Sequence, residues 1–275
     1  MVNSLDVMQA IKRLVRFPSR GSQPVYAYRP GDSVVEDFAE FSQLPAEEVS
    51  TRINDYHRLC AEDWHRLDGH SFAQRAGEYY ENSESFIYGI LAANPRPQAV
   101  VEKLNRFNPA ILKSIANHGG RRLLEFGGGI GVFCEIATRL GKEVHYLDVP
   151  GIAFRFALWR FQKLGLKVTT IEASSGTIHI PDRYDIVYTD AVLEHLPPDL
   201  QRDATRAIGN AVGNEGLLIF LVDLGGPTAD DPMHHEVDIG ALHNLLDDCG
   251  LACETGRDTF CSVWRRAEGP ATTAG

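Results

Sequence analysis

Long apolar runs and paired cysteines are both missing from this sequence. No segment approaches the roughly 18 consecutive apolar residues of a transmembrane helix, and residues 1–20 contain no apolar core of signal-peptide length. The five cysteines are odd in number and include no C-x-x-C pair, so neither a disulfide framework nor a metal site is expected. We therefore expect a cytoplasmic protein that binds neither a membrane nor a metal.

Positive charge is also scarce. Aspartate and glutamate number 37 against 27 lysines and arginines, which gives a formal net charge of −10. Adjacent basic residues occur only as pairs, such as Arg121-Arg122 and Arg265-Arg266, whereas a protein that binds nucleic acid usually presents a broad basic face. A nucleic-acid substrate is therefore not expected.

The first part of the chain has the hydrophobic spacing of helices. Apolar residues recur at intervals of three and four over 4–15, from Pro45 to Leu67, and again over 98–118. No alternating strand pattern interrupts these segments. We predict a helical N-terminal cap or substrate lid over residues 1–118.

From residue 119 onward, short apolar strands alternate with helices, a pattern typical of a parallel sheet with helices on both faces. Two final strands flank Arg257-Asp258 and suggest an antiparallel hairpin at the sheet edge. The expected fold is α/β, a Rossmann-like, seven-stranded, doubly wound sheet over 119–268. A small-residue tail over 269–275 is expected to be disordered.

The first strand of this second part ends in a glycine-rich turn, L-L-E-F-G-G-G-I-G over 123–131. Glycines at such a turn let the backbone approach a ligand, and the following helix start supplies free N–H groups. The spacing is E-x-G-x-G-x-G. It is not the G-x-G-x-x-G of dinucleotide-binding enzymes, because Val132 and Cys134 occupy the sixth positions counted from Gly127 and Gly129. A nicotinamide oxidoreductase is therefore disfavoured.

The E-x-G-x-G-x-G turn that begins at Glu125 resembles motif I of the class I methyltransferases that use S-adenosylmethionine (SAM). The segment Y-D-I-V-Y-T-D-A-V-L-E-H-L-P, 184–197, is similar to the fourth-strand signature of the small-molecule branch of that superfamily. The resemblance covers about residues 121–265. It implies SAM as the cofactor and S-adenosylhomocysteine (SAH) as the product.

The resemblance also implies where the cofactor binds. Glu125 would lie near the methionine amino group, and Asp148, in Y-L-D-V-P, would accept hydrogen bonds from the ribose hydroxyls. The alternative role of Asp148 is to cap the following helix. Ser174 stands near the position where relatives often carry an adenine-binding acid, and the segment 76–86 resembles a stretch that closes over the cofactor. The remaining cofactor-binding candidates are Gly127, Gly128, Gly129, Gly131, Val149, Asp190, Tyr79 and Tyr80.

Three residues are candidates for catalysis. Asp190 ends the fourth strand and could hold the acceptor. It is the first residue of the segment D-A-V-L, which stands where amine- and base-modifying relatives carry N-P-P-Y. The absence of N-P-P-Y argues against methylation of adenine N6 or glutamine. His234 and His235 resemble the family stretch in which a histidine faces the active-site mouth, and either could be a general base because histidine titrates near neutrality. His195, in E-H-L-P, is expected to have a packing role. Adjacent ligands on one loop fit tetrahedral metal geometry poorly, so no metal is expected there.

The sequence thus favours methyl transfer to oxygen or nitrogen of a small metabolite or peptide. Asp190, Glu194 and Glu236 suggest a cationic or hydroxylated acceptor. The alternative is a SAM-binding regulatory protein or a SAM-dependent enzyme of another chemistry, because motif I argues for cofactor binding and not for turnover. The helical first part could also provide the face of a homodimer.

Overall fold

The structure is a computed structural model, and it describes residues 33–67, 69–173 and 178–266. The predicted helix over 4–15, the candidate Ser174 and the predicted tail over 269–275 lie outside these residues. No helix in the described ranges is long and apolar enough to cross a bilayer.

Seven helices precede the sheet in the part of the chain that the structure describes. They are α1 Val34–Ser42, α2 Ala46–Asn54, α3 Tyr56–Arg66, α4 Phe72–Asn82, α5 Phe86–Ala93, α6 Pro97–Phe107 and α7 Ile111–Asn117.

Two of the predicted N-terminal helices are each wrong in length, because each is divided in two. The segment from Pro45 to Leu67 breaks at Asp55, whose φ of −97° and ψ of 6° lie outside the helical range. Aspartate is a poor residue for helix interiors because its side chain competes for backbone hydrogen bonds. The segment 98–118 breaks at Asn108, which is extended because Pro109 disfavours the helical conformation in the residue before it.

The second part forms one seven-stranded sheet, in the order β3-β2-β1-β4-β5-β7-β6. Its strands are β1 Arg122–Phe126, β2 Glu143–Asp148, β3 Val168–Glu172, β4 Tyr184–Asp190, β5 Val212–Leu221, β6 Leu251–Thr255 and β7 Cys261–Arg266. The pairs from β3 to β5 are parallel, whereas β7 pairs antiparallel with both β5 and β6. The predicted Rossmann-like sheet with an antiparallel edge is confirmed.

Four helices connect these strands, namely α8 Val132–Arg139, α9 Ile152–Lys163, α10 Pro198–Ala211 and α11 Ile239–Asp248. The central strands are apolar and fully covered, as in other parallel sheets buried on both faces: Leu123 and Leu124 of β1 are both 0% exposed. The strand order reverses between β1 and β4, which lie side by side. From β1 the chain continues to β2 on one side, and from β4 it continues to β5 on the other side. In such sheets the ligand crevice lies at this reversal, beyond the carboxyl ends of the strands.

The N-terminal helices pack directly on the second part and share its hydrophobic core. Phe38 of α1 meets Phe156 of α9 edge to face, with ring centroids 5.2 Å apart. Below this contact the buried Arg160 guanidinium pairs with Asp37 of α1 at 2.8 Å and with Glu135 of α8 at 2.7 Å. A buried charge is tolerated only when it is paired, so these contacts fix α1 against α8 and α9.

Candidate active site

A cavity of about 430 Å³ lies beyond the carboxyl ends of β1, β2 and β4. Its volume is in the range of small-molecule sites. Helices α5 and α6 of the N-terminal part also contribute to its wall, through Ile90 and Lys103 among others. The cavity therefore joins the glycine turn to side chains that the sequence places far away.

The glycine turn is held by side chains of the neighbouring strand β2. Gly129 adopts a φ of 53°, and its N–H donates to Oδ2 of Asp148 at 2.5 Å while its carbonyl accepts from the Tyr146 hydroxyl at 2.6 Å. At Gly128 a Cβ would lie 2.4 Å from the Tyr146 ring, so no larger residue fits. The turn thus needs glycine at both positions, for conformation at one and for space at the other.

Two acids flank this turn, the buried Glu125 and the half-buried Asp148. Glu125 is 5% exposed, and its Oε2 has no hydrogen-bond partner among the described residues. Burial raises the pKa of Glu125 to about 8, and the negative charges of Asp190 and Asp148 act in the same direction. Burial also raises the pKa of Asp148 to about 6, although the N–H groups of Gly129 and Val149 oppose the shift. Among the described residues that line the cavity, no lysine or arginine is paired with either acid.

Asp190, at the end of β4, has two partners in the cavity. Its Oδ2 forms a salt bridge with Nζ of Lys103 and accepts a hydrogen bond from the Tyr188 hydroxyl at 2.9 Å. Burial and then the Asp190 charge raise the pKa of Tyr188 well above its ordinary value. Lys103 was not predicted as a site residue, because it stands in an ordinary amphipathic helix with no motif around it.

The other end of the cavity is built from the short 3₁₀ turn Leu193–His195. Glu194 is 1% exposed, and among the described residues its carboxyl group pairs with no side chain. Burial raises its pKa to about 8, although the backbone N–H groups of Glu194 and Asp223 oppose the shift. Nδ1 of His195 lies 2.7 Å from the Tyr80 hydroxyl, and the His234 ring centroid is 4.6 Å from that of His195. Burial lowers the pKa of His195 well below its ordinary value, so this ring is neutral. His195 therefore lines the cavity, beyond the packing role expected from the sequence.

The structure brings most of the predicted site residues together. Those that line the cavity are Tyr80, Glu125, Gly127, Gly128, Gly129, Asp148, Val149, Asp190 and His234. Three others do not line it. Within the described ranges, no group of His, Cys, Asp or Glu side chains is arranged to hold a metal.

The three residues outside the cavity wall have other contacts. Tyr79 is fully buried, with its ring 5.4 Å from Trp64 in a separate apolar cluster. Gly131 precedes α8, and a Cβ there would lie 2.5 Å from the Phe161 ring. The backbone N–H of His235 donates to the Glu194 carbonyl at 2.7 Å.

A family model described as a methyltransferase domain matches residues 95–268 of this chain. Among curated proteins, the ubiquinone biosynthesis O-methyltransferase of Proteus mirabilis is 32% identical over 100 residues, and that of Paraburkholderia phymatum is 30% identical over 106. These alignments cover 34% and 37% of this chain and 41% and 46% of the two relatives. The chain thus spans less than half the length of the curated relatives it matches.

Two solved structures are similar in fold. Magnesium protoporphyrin IX methyltransferase from Synechocystis, determined with bound SAM, gives a TM-score of 0.53 at 16% identity, over 73% of this chain and 99% of that chain. An O-methyltransferase family protein from Burkholderia thailandensis gives 0.51 at 16% identity, over 80% of this chain and 72% of that chain.

The raised pKa of Glu125 implies that the free energy of unfolding depends on pH. Because the folded protein favours the protonated acid, its contribution to stability is complete below the ordinary pKa of 4.5 and is lost as the pH rises through about 8. Glu125→Gln cannot ionise. At about pH 9 the free energy of unfolding of the variant should therefore be a few kcal/mol higher than that of the wild type. At about pH 4 the two free energies of unfolding should be nearly equal.

Urea unfolding over a pH series measures this difference. Glu47→Gln is the matched control, because Glu47 is exposed in the first turn of α2, and it should show little pH-dependent difference. A difference between Glu125→Gln and wild type that stays constant with pH would contradict the prediction.

Proposed function

This chain belongs to the methyltransferase domain family, and we propose that it transfers a methyl group from SAM to oxygen or nitrogen of a small molecule or peptide. The family membership confirms the resemblance to class I SAM-dependent methyltransferases. One observation carries the proposal: a single cavity joins motif I, from Glu125 to Gly129, to a histidine and to a buried acid without a side-chain partner at its other end.

The residues around the glycine turn fit SAM. SAM carries a positive sulfonium and an ammonium group, and the buried Glu125 carboxyl group lies beside the glycine turn of the cavity, where it can supply the compensating negative charge. Each oxygen of Asp148 accepts one backbone N–H, from Gly129 and Val149, yet a carboxylate has about four acceptor sites and can still bind a diol. We assign the ammonium group to Glu125 and the ribose hydroxyls to Asp148.

When bound, SAM supplies a methyl group already activated by its sulfonium. The chain has to hold the acceptor in line with that methyl group, keep water out and receive the acceptor's proton. Tyr80 and Phe86, whose ring centroids are 4.8 Å apart, wall the cavity with apolar surface. The Tyr80 hydroxyl orients the neutral His195 ring, and His234 lies beside it.

His234 is the better of the two predicted general bases, because it lines the cavity and His235 does not. Its imidazole would receive the proton from the acceptor O–H or N–H. The names of the curated relatives support oxygen as the acceptor atom. The net charge of −10 supports a small-molecule or peptide substrate over nucleic acid, and we expect a cytoplasmic enzyme of metabolite or natural-product biosynthesis, with a homodimer as a further expectation.

Asp148→Asn should weaken the binding of both SAM and SAH by about tenfold or more, because a neutral amide cannot replace two charge-assisted hydrogen bonds to a diol. Isothermal titration calorimetry measures both affinities. Asp199→Asn is the control, because the Asp199 side chain is 87% exposed and pairs only locally with Arg202. Unchanged SAH affinity in Asp148→Asn would refute the ribose assignment, and folded wild-type protein that binds neither SAM nor SAH would refute the function.

His234→Asn should slow methyl transfer by about a hundredfold or more at saturating substrates, as expected for the loss of a general base. His235→Asn should remain within about threefold of wild type, because this ring does not line the cavity. The assay is SAH release with an acceptor identified by screening phenols, amines and peptides. Equal rates for the two variants would remove His234 as the base.

A further inference from the structure

We propose that the acceptor carries an ammonium group and that the Glu194 carboxylate binds this group. The inference rests on the proposed function, since it concerns the acceptor end of the same cavity. It goes further by assigning a charge to the acceptor and a recognition role to one residue.

The Glu194 carboxyl group is buried at the acceptor end of the cavity. The residue is 1% exposed, and among the described residues its carboxyl group pairs with no side chain; only the backbone N–H groups of Glu194 and Asp223 favour its charged form. Its surroundings are cavity residues: the charges of Asp223 and Asp190 act on its carboxyl group, and its own charge acts on the Tyr80 hydroxyl. A buried carboxyl group without a cationic partner is unfavourable, so this position is explained best by a ligand that supplies the cation.

Three of the other acids of the cavity already have assignments or partners. Glu125 and Asp148 face the cofactor, and Asp190 pairs with Lys103. Lys103 is the one lysine or arginine among the described residues that line the cavity. The acceptor end is therefore left without a permanent positive charge of its own.

Two further acids increase the negative charge at this end. Asp223 follows β5 at the cavity mouth, and Asp231 lines the wall with Oδ1 3.5 Å from Nδ1 of the half-buried His57. The neutral His195 ring, held by Tyr80, adds no positive charge. Burial raises the pKa of Glu194 to about 8, which agrees with the absence of a compensating cation in the free protein. A bound ammonium group would compensate this carboxylate.

Aromatic rings complete the recognition of a cation. Tyr80 and Phe86 meet edge to face with centroids 4.8 Å apart, and Phe86 is 5.7 Å from the His195 ring. An ammonium group is attracted to aromatic faces as well as to carboxylates. By contrast, an acceptor with a carboxylate or phosphate would add negative charge to an acidic site, and a neutral hydroxyl would supply no cation for the Glu194 carboxyl group.

The test uses three probes that share one phenol ring and a short chain but differ in the terminal group: tyramine (ammonium), tyrosol (hydroxyl) and para-hydroxyphenylacetate (carboxylate). Each is titrated calorimetrically into protein saturated with SAH. Tyramine should bind roughly tenfold more tightly than tyrosol, as expected for a hydrogen-bonded charge pair, and the carboxylate should bind most weakly. In Glu194→Gln the preference for tyramine over tyrosol should fall to about twofold or less.

Matched variants separate this effect from a general loss of structure. Glu236→Gln removes an exposed glutamate that does not line the cavity and should keep the full preference. Asp223→Asn, at an exposed position, should reduce the preference by a smaller factor than Glu194→Gln. The binding of SAH to each variant is measured first and shows that the fold is intact.

Equal affinities for tyramine and tyrosol, a preference that survives in Glu194→Gln, or no measurable binding of tyramine to SAH-loaded protein would overturn the proposal. These results leave the proposed function standing, because they are read from protein that has already bound SAH. Failure of the wild type to bind SAH would instead refute the proposed function.

Discussion

The peptide unit of Gly129 is held on both sides by strand β2, and the shape of the cavity depends on this contact. The Asp148 carboxylate receives the N–H at 2.5 Å, and the Tyr146 hydroxyl donates to the carbonyl at 2.6 Å. Because Glu125 of β1 pairs in register with Tyr146, the same two strands position the first acid of the motif. Asp148 therefore has two functions, since it builds the turn and, in our proposal, binds the cofactor through its remaining acceptor sites.

Acids accumulate in this cavity because three parallel strands end at one edge, and each contributes a carboxylate there: Glu125 lies in β1, Asp148 ends β2 and Asp190 ends β4. Mutual repulsion and burial would make such a set unfavourable. The charge of Asp190 is balanced by Lys103 of the helical part. In our proposal Glu125 binds the ammonium group of SAM and Asp148 binds its ribose hydroxyls. This contact also explains why the helical part belongs to the site, and the family match accordingly begins at residue 95, before the sheet.

The sheet could be predicted from the sequence because each strand is a short apolar run between turn signals, and the glycine spacing indicated a turn that lines the cavity. The division of the helix at Asn108, which we did not predict, could also have been inferred from the sequence, since Pro109 restricts the residue before it. What could not be predicted depends on tertiary contacts. Nothing local distinguishes Tyr80, which lines the cavity, from its neighbour Tyr79, which is packed against Trp64. Likewise, the salt bridge between Lys103 and Asp190 joins residues distant in sequence, and the isolation of Glu194 follows only from its burial.

A crystal structure of the protein in complex with SAH tests the central claim most directly. We expect SAH to lie beyond the ends of β1, β2 and β4, with its ribose hydroxyls on the Asp148 carboxylate and its amino group near Glu125. We also expect the SAH sulfur to face the end of the cavity formed by Glu194 and His234. SAH bound outside this cavity, or bound within it with the ribose away from Asp148, would show that the cofactor site is assigned wrongly.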